Sequence, residues 1–281
     1  MVLEGPFLFV GFEGPSPHTP KVGVGMVRGW NLENPAQTYE FRVSDAMPFA
    51  HSMPVHSLAI ATDSADGVVR YWQLDPATNA FKCRGTLDGH VRSVTRLKTF
   101  VIGTTPIEYV VLTISCSLAS ASVDTTIRLW DLSTYQCVKV LSADDNGHTD
   151  AVMDLEFWVN NGETFLISGG LDSEIIVWSM GGQFQQVFKE TQDAQVTALC
   201  GTQDAAQVAL LLVGTSDGAI TVKELPTFAY KTTFSAGANF GHQDVVRRIT
   251  TGPLNTFFSV ASDSRMIAWQ IVGDANSVQP K

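Results

Sequence analysis

Histidine, a hydroxyl residue and aspartate recur together along this chain, and these are the residue types of a nucleophilic hydrolase. The sets are His51, Thr62 and Asp66; His90, Ser120 and Asp124; His148, Ser168 and Asp172; and His242, Ser259 and Asp263. In an acyl-transfer site the hydroxyl attacks, the imidazole takes its proton and the carboxylate orients the imidazole. One such set would be a candidate active site, but an active site has no need of four copies. Each aspartate is also followed six residues later by a tryptophan: Trp72, Trp130, Trp178 and Trp269. An indole has no part in that chemistry, yet its N–H needs a partner once buried. The fixed spacing therefore points to a repeated structural unit rather than to catalysis.

Other chemistry-bearing patterns are weaker. Gly214-Thr215-Ser216-Asp217-Gly218 matches a Gly-x-Ser-x-Gly elbow, but a strand follows it where that motif requires a helix. Asp144-Asp145-Asn146-Gly147-His148-Thr149-Asp150 lacks the length and terminal glutamate of an EF-hand loop and reads as a solvated connection. No Gly-rich loop ending in lysine and no zinc-spaced Cys/His cluster is present. The four cysteines, Cys83, Cys116, Cys137 and Cys200, are far apart and read as free thiols of a reducing compartment. The expectation is no catalytic residue, no metal and no cofactor.

The elements that hold these residues must be short strands. A fifth copy keeps Asp217 but places Lys223 in the tryptophan slot, so the aspartate returns every 45 to 60 residues. That period is the mark of a repeated β-sheet unit. At roughly 40 residues per unit, the chain could hold about seven. Hydrophobic residues are 44% and charged residues 16% of the 281, as expected for many short strands and neutral turns. The net charge of −10 disfavours direct nucleic-acid binding, which needs clustered Lys and Arg, and suits basic partners. The apolar start lacks a basic region and is broken by Gly5-Pro6, so neither a leader nor a membrane span is expected. A cytoplasmic or nuclear protein follows.

Six units are recognisable. In the first, residues 8–11, 22–30 and 39–43 read as strands, with a Pro/Gly/Ser-rich loop over 13–21. The second is shortened, since only eleven residues separate Val55 from Asp66. The third carries an insertion around Thr104-Thr105-Pro106. The fifth has Gln192 where histidine stands elsewhere. The sixth ends at Val272, and 274–281 reads as a polar tail that gives no fourth strand. The first and last units are thus expected to be incomplete. The domain spans 1–273, as a six-membered ring with a composite closing unit or as part of a seven-bladed one.

Three of the histidines follow glycine (Gly89-His90, Gly147-His148, Gly241-His242), each of the four lies four residues before a valine, and Trp130-Asp131 is a literal Trp-Asp pair. With these features the chain resembles a WD-repeat protein, that is, an all-β propeller of four-stranded blades. The resemblance implies that histidine, Ser/Thr, aspartate and tryptophan tie the loop before the first strand to the second and third strands. It also implies that the position two residues after each histidine points to the rim of the central channel. Here that position holds Met53, Arg92, Asp150 and Asp244, the candidate contact residues.

Finer wording narrows the resemblance. Glu4-Gly5-Pro6-Phe7-Leu8-Phe9-Val10-Gly11, Val27-Arg28-Gly29-Trp30-Asn31, Ser133 to Leu141, Val196 to Asp204 and Glu224-Leu225-Pro226-Thr227-Phe228 together resemble the propeller of plant-type CCCH zinc-finger WD-repeat proteins. In that family a finger and a full blade precede the segment that Met1 opens here, and the finger is what suggests RNA association. The expected function is a noncatalytic scaffold offering its loop face to protein or peptide partners. Two alternatives stand beside it: the propeller half of an RNA-associated zinc-finger protein, and a substrate receptor of a ubiquitin ligase.

Overall fold

The computed structural model describes residues 2–4, 7–15, 23–34, 36–41, 55–58, 61–64, 66–75, 80–100, 116–181, 184–235, 241–252, 255–271 and 278–280. They form six four-stranded antiparallel sheets. The chain divides into two compact units, Met1–Ser142 and Ala143–Lys281. The first unit holds sheet 1, with β1 (Val2–Glu4), β2 (Phe7–Pro15), β3 (Gly23–Asn31) and β4 (Thr38–Glu40). Sheet 2 has β5 (Val55–Leu58), β6 (Ala61–Ser64), β7 (Val69–Asp75) and β8 (Ala80–Leu87). Sheet 3 has β9 (Val94–Thr99), β10 (Cys116–Ser122), β11 (Ile127–Asp131) and β12 (Gln136–Leu141).

The second unit opens with a 3-10 turn, Ala143–Asp145. Sheet 4 follows as β13 (Val152–Asn160), β14 (Glu163–Gly170), β15 (Glu174–Ser179) and β16 (Gln186–Thr191). Sheet 5 is β17 (Val196–Gln203), β18 (Ala209–Thr215), β19 (Ile220–Glu224) and β20 (Ala229–Phe234). Sheet 6 is β21 (Val246–Thr251), β22 (Thr256–Ala261), β23 (Met266–Ile271) and β24 (Val278–Pro280).

Three sequence expectations are corrected. The first unit is complete, because Val2–Glu4 pairs with Phe7–Phe9 as an additional strand. The sixth is complete too, because Val278–Pro280, read as part of a polar tail, pairs with Trp269–Ile271. Residues 13–15, placed in a loop, continue β2 and pair with 23–25. The second unit is indeed compressed, with β5 and β6 of four residues each. The insertion around Thr104-Thr105-Pro106 lies outside the described residues.

Within the second unit each sheet buries one face against the next, and strand alternation decides which side chains go where. Ile167, Ile175 and Val177 of sheet 4 pack on Val196, Leu199, Leu211 and Val213 of sheet 5. The alternate residues of sheet 5, Ala198, Leu210, Leu212, Ile220 and Val222, pack on Val246, Phe257, Trp269 and Ile271 of sheet 6. Each such Val or Leu contributes roughly 1.5–3 kcal/mol on burial. In the first unit Val69 and Leu87 pack with Val94, Leu97, Leu118 and Trp130 across sheets 2 and 3.

Glycine sets the approach distance between sheets 4, 5 and 6. A Cβ on Gly169 would stand 2.3 Å from Val196 Cγ1, and one on Gly214 would stand 2.6 Å from Val246 Cγ1. Both valines are β-branched and cannot swing away. Gly169→Ala is therefore expected to lower stability by about 1–3 kcal/mol through overpacking. Urea denaturation checks this, and an unchanged midpoint would contradict the packing described.

Candidate functional site

Every repeat aspartate ends up at the same local structure, a tight turn between the second and third strands. The residue after it has left-handed backbone in all five copies: Gly67, Thr125, Ser173, Gly218 and Ser264. The carboxylate stabilises that turn by accepting the amide two residues on. Val68, Thr126, Glu174, Ala219 and Arg265 donate to Asp66, Asp124, Asp172, Asp217 and Asp263 at 3.0–3.1 Å. This is the side-chain mimic of a backbone turn, to which aspartate is suited.

In three copies the same carboxylate also reaches the loop before the first strand. It accepts the amide after the histidine: Val91 to Asp124 at 3.0 Å, Thr149 to Asp172 at 2.9 Å and Gln243 to Asp263 at 3.0 Å. Histidine Nδ1 lies 2.9 Å from Asp124, 2.9 Å from Asp172 and 3.2 Å from Asp263 for His90, His148 and His242. Nε2 of the same rings meets Ser120, Ser168 and Ser259 Oγ at 2.7, 2.8 and 2.7 Å. Trp130, Trp178 and Trp269 Nε1–H donate to those hydroxyls at 2.8–2.9 Å. Each proton is used once when the serine hydroxyl donates to a neutral Nε2 and Nδ1–H donates to the carboxylate. The rings of His90, His148 and His242 are fully buried.

The second and fifth copies differ. His51 and Met53 lie outside the described residues, and Thr62 is placed in β6. Trp72 is buried with its ring edge-on to Phe41 at 5.1 Å. Asp66 takes Arg70 Nη1 at 3.4 Å beside its turn bond. In the fifth copy Gln192, Val213 and Lys223 stand where the others have histidine, serine or threonine, and tryptophan. Lys223 is only 5% exposed and its Nζ meets Glu190 of sheet 4 at 2.9 Å. A buried ammonium requires such a partner. The lysine in a buried slot was visible in the sequence; Glu190, 33 residues away in another sheet, was not.

Sequence reading also missed a set of side-chain ties between first strands. Asp154 and Glu156 of β13 accept the Leu199 and Gly201 amides of β17 at 2.9 and 3.2 Å. Thr197 of β17 donates to the Val246 carbonyl of β21 at 2.6 Å. Alternating acids on a strand carry no sequence signal of such partners.

Among the candidate contacts, Arg92 is exposed in the first unit, and Asp150 and Asp244 are exposed in the second. Their loops are seated on rigid turns. Gly67 lies so close to the His90 and Arg92 carbonyls that a Cβ would stand 3.0 and 2.9 Å from them, and a Cβ on Gly218 would stand 2.5 and 3.0 Å from the His242 and Asp244 carbonyls. Among the described residues the grouping His148, Asp172 and Glu174 has metal-ligand atom types within 4.8 Å. Its donors are already engaged: Asp172 and Ser168 take both ring nitrogens, and Lys189 pairs with Glu174 at 2.7 Å.

Burial pushes the Asp124 carboxyl up, but hydrogen bonds from His90, Thr126 and the Val91 amide outweigh it and hold the group well below the usual range. For Asp172, burial is likewise overridden by His148 and the Thr149 and Glu174 amides. For Asp263, burial is outweighed by the Gln243 and Arg265 amides and His242, which bring the group down to about 2. An unfolded aspartate titrates near ~3.9. The stability these groups contribute is thus complete above about pH 4 and lost as pH falls through their folded values. Denaturation midpoints should drop between about pH 4 and 2, and Asp263→Asn should flatten that drop. A midpoint independent of pH in this window would refute the linkage. Trp130→Ala should cost about 3–5 kcal/mol, from lost volume and an orphaned serine partner. Arg92→Ala should stay within about 0.5 kcal/mol. Equal losses for the two would overturn the distinction between buried network and open loop.

Comparison with known proteins agrees with this geometry. The family model described as WD domain, G-beta repeat matches residues 81–131 and 135–179. Zinc finger CCCH domain-containing protein 17 of Oryza sativa subsp. japonica is 30% identical over 279 residues, 99% of this chain and 55% of that protein. Zinc finger CCCH domain-containing protein 59 of Arabidopsis thaliana is 25% identical over 272 residues, 96% of this chain and 49% of that protein. Nuclear distribution protein PAC1 of Arthroderma otae is 28% identical over 151 residues, 54% of this chain and 30% of that protein. The chain spans about half the length of the plant relatives it matches. Four-stranded sheets, the recurring His–Ser–Asp–Trp chains and these matches together show that the chain carries WD repeats, with sheets consistent with propeller blades, and that it is similar in this segment to the plant CCCH zinc-finger proteins.

Proposed function

We propose that this chain is a noncatalytic protein-interaction scaffold, a role that its WD repeats support in general terms. The observation that carries the reading is the fate of the groups able to do chemistry. In the three complete sets the histidine rings are buried and both ring nitrogens are engaged, so none is free to act on a substrate. The side chains two residues further on point outward from loops tied down by the repeat aspartates. A rigid base carrying exposed, chemically varied loop residues suits recognition.

In this reading Arg92, Asp150, Asp244 and Met53 contact a protein or peptide partner, in the cytoplasm or nucleus, without a cofactor. The second reading, a propeller serving an RNA-binding finger, is favoured by the plant CCCH relatives, which align along nearly the whole chain and continue beyond it.

Affinity purification of the tagged chain from cells, split into RNase-treated and untreated halves, tests both. Arg92→Glu and the pair Asp150→Lys with Asp244→Lys are run beside the parent chain. Partners that survive RNase and fall by about tenfold with the loop variants, an interaction change of roughly 1.4 kcal/mol, would support the scaffold. Partners retained equally by all variants would overturn the loop assignment. Partners lost with RNase would favour the second reading.

A further inference from the structure

The loop face is one end of the sheets, and the second unit has a cavity at the other. It lies where the first strands of sheets 4, 5 and 6 turn back into the second: β13 after Asn160, β17 after Gln203 and β21 after Thr251. Its volume is about 630 Å³. Cavities of roughly 300–1,000 Å³ hold small molecules. Trp158 and Val159 line it from sheet 4, Thr202, Gln203 and Gln207 from sheet 5, and Asn255 from sheet 6.

The acid in the lining is committed to the wall itself. Glu156 Oε1 accepts the Phe157 amide at 3.1 Å and Oε2 the Gly201 amide at 3.2 Å, and the residue has a further partner besides. Recognition therefore falls to the neutral groups. Among the described residues of the lining there is no lysine, arginine or histidine to pair with a phosphate or carboxylate. Gln203, Gln207 and Asn255 instead offer exposed carboxamides. Each carboxamide donates two protons and accepts at its oxygen. Among the described residues these three side chains make no hydrogen bond with the protein.

Trp158 supplies a flat surface. Phe165, its partner across to β14, stacks on one side of the indole, with centroids 5.2 Å apart and planes at 29°. That contact holds the ring in position. In the same unit the indoles of Trp178 and Trp269 donate their N–H to serine hydroxyls, whereas that of Trp158 has no protein acceptor among the described residues. An indole N–H beside apolar surroundings calls for a partner. A braced ring next to amides that both give and take hydrogen bonds matches a molecule with a flat apolar face and a rim of hydroxyls. A hydroxyl, like a carboxamide, donates and accepts. A pyranose has both features: the C–H bonds of one face lie on the negative face of the indole, and its hydroxyls reach the amides.

We propose that this cavity binds a neutral disaccharide, seated on Trp158 and hydrogen-bonded by Gln203, Gln207 and Asn255. The proposal is independent of the loop-face reading, since no residue is shared between the two.

The test titrates the whole chain with cellobiose, maltose and N,N′-diacetylchitobiose, and follows the Trp158 indole N–H resonance, assigned with Trp158→Phe. Sorbitol, adenosine and the uncharged peptide acetyl-Ala-Gln-Ala-amide are titrated beside them. The expected result is a saturable shift with at least one disaccharide at millimolar concentration. Sorbitol, which has the hydroxyls without a ring face, should bind at least about tenfold more weakly. Gln207 and Asn255 have left-handed backbone, at φ 65° and 58°, so glycine replaces either without strain. Gln207→Gly combined with Asn255→Gly should leave the melting temperature in place and weaken the disaccharide by about tenfold. Undiminished binding by that double variant, equal binding of sorbitol, or no Trp158 shift with any of the three disaccharides would overturn the proposal. Adenosine or the peptide binding more tightly than every disaccharide would also overturn it, and would reassign the cavity to a nucleobase or to a neutral peptide.

Discussion

One carboxylate holding two pieces of backbone is the constraint on which the rest of the complete repeats depends. Asp124, Asp172 and Asp263 each accept an amide from their own turn and an amide from the loop before the first strand. The first bond forces the following residue into left-handed backbone, and the second places the loop over that turn. Once both are made, histidine Nδ1 has only one place to go, and its Nε2 must find the serine. The serine hydroxyl then needs a donor, and the indole supplies it. The histidine and tryptophan are thus consequences of where the aspartate sits. A hydrolase triad has the same three residue types but leaves its hydroxyl open to substrate. Here the indole occupies that opening.

Packing between sheets is governed by a second, steric constraint that the polar network does not touch. The position after the hydroxyl residue holds Gly169 in sheet 4 and Gly214 in sheet 5, and each faces the first valine of the following sheet. Sheet 3 has Ala121 there and sheet 6 has Val260. The register is read off the valines, Val196 and Val246, whose methyls fill the space a Cβ would take. The sequence repeat is also out of phase with the sheets. The matched stretch 81–131 begins in β8, the outer strand of sheet 2, and ends with β11, the third strand of sheet 3. The repeat so defined joins sheets 2 and 3, and covalent continuity supports the non-covalent packing between them.

Much of this was legible in sequence because tryptophan is rare and stands a fixed six residues after an aspartate in four of the five copies. What escaped reading has a common physical character. The strands Val2–Glu4 and Val278–Pro280 are three residues long, too short for alternation to register, and the second contains a proline. Proline is compatible with an edge strand, where it loses no ladder bond, so composition alone argued wrongly for a tail. Residues 13–15 carry Gly14 and Pro15 and looked like a loop for the same reason, yet β2 continues through them. The ties made by Asp154, Glu156 and Thr197 escaped because their partners are backbone groups 45 to 49 residues away, which no side-chain pattern announces.

The fifth copy separates the two functions of the aspartate. Histidine, serine and tryptophan are replaced there, yet Asp217 remains and still accepts from Ala219 and from the Thr215 hydroxyl at 3.1 and 2.6 Å. The turn, which is local, persists without the network. The loop keeps its backbone bond, from the Ser216 amide to the Gln195 carbonyl at 2.9 Å. Equivalent bonds run from Leu171 to Ala151 and from Ser262 to Val245 in copies that keep the full network. The tryptophan site is filled by Lys223, whose stem occupies apolar space while its head crosses to Glu190. A buried ion pair of this kind gains little net stability but penalises any arrangement that breaks it. The turn bond is therefore the indispensable part of the repeat, and the histidine–serine–tryptophan relay is one of several ways to fill the space beneath it.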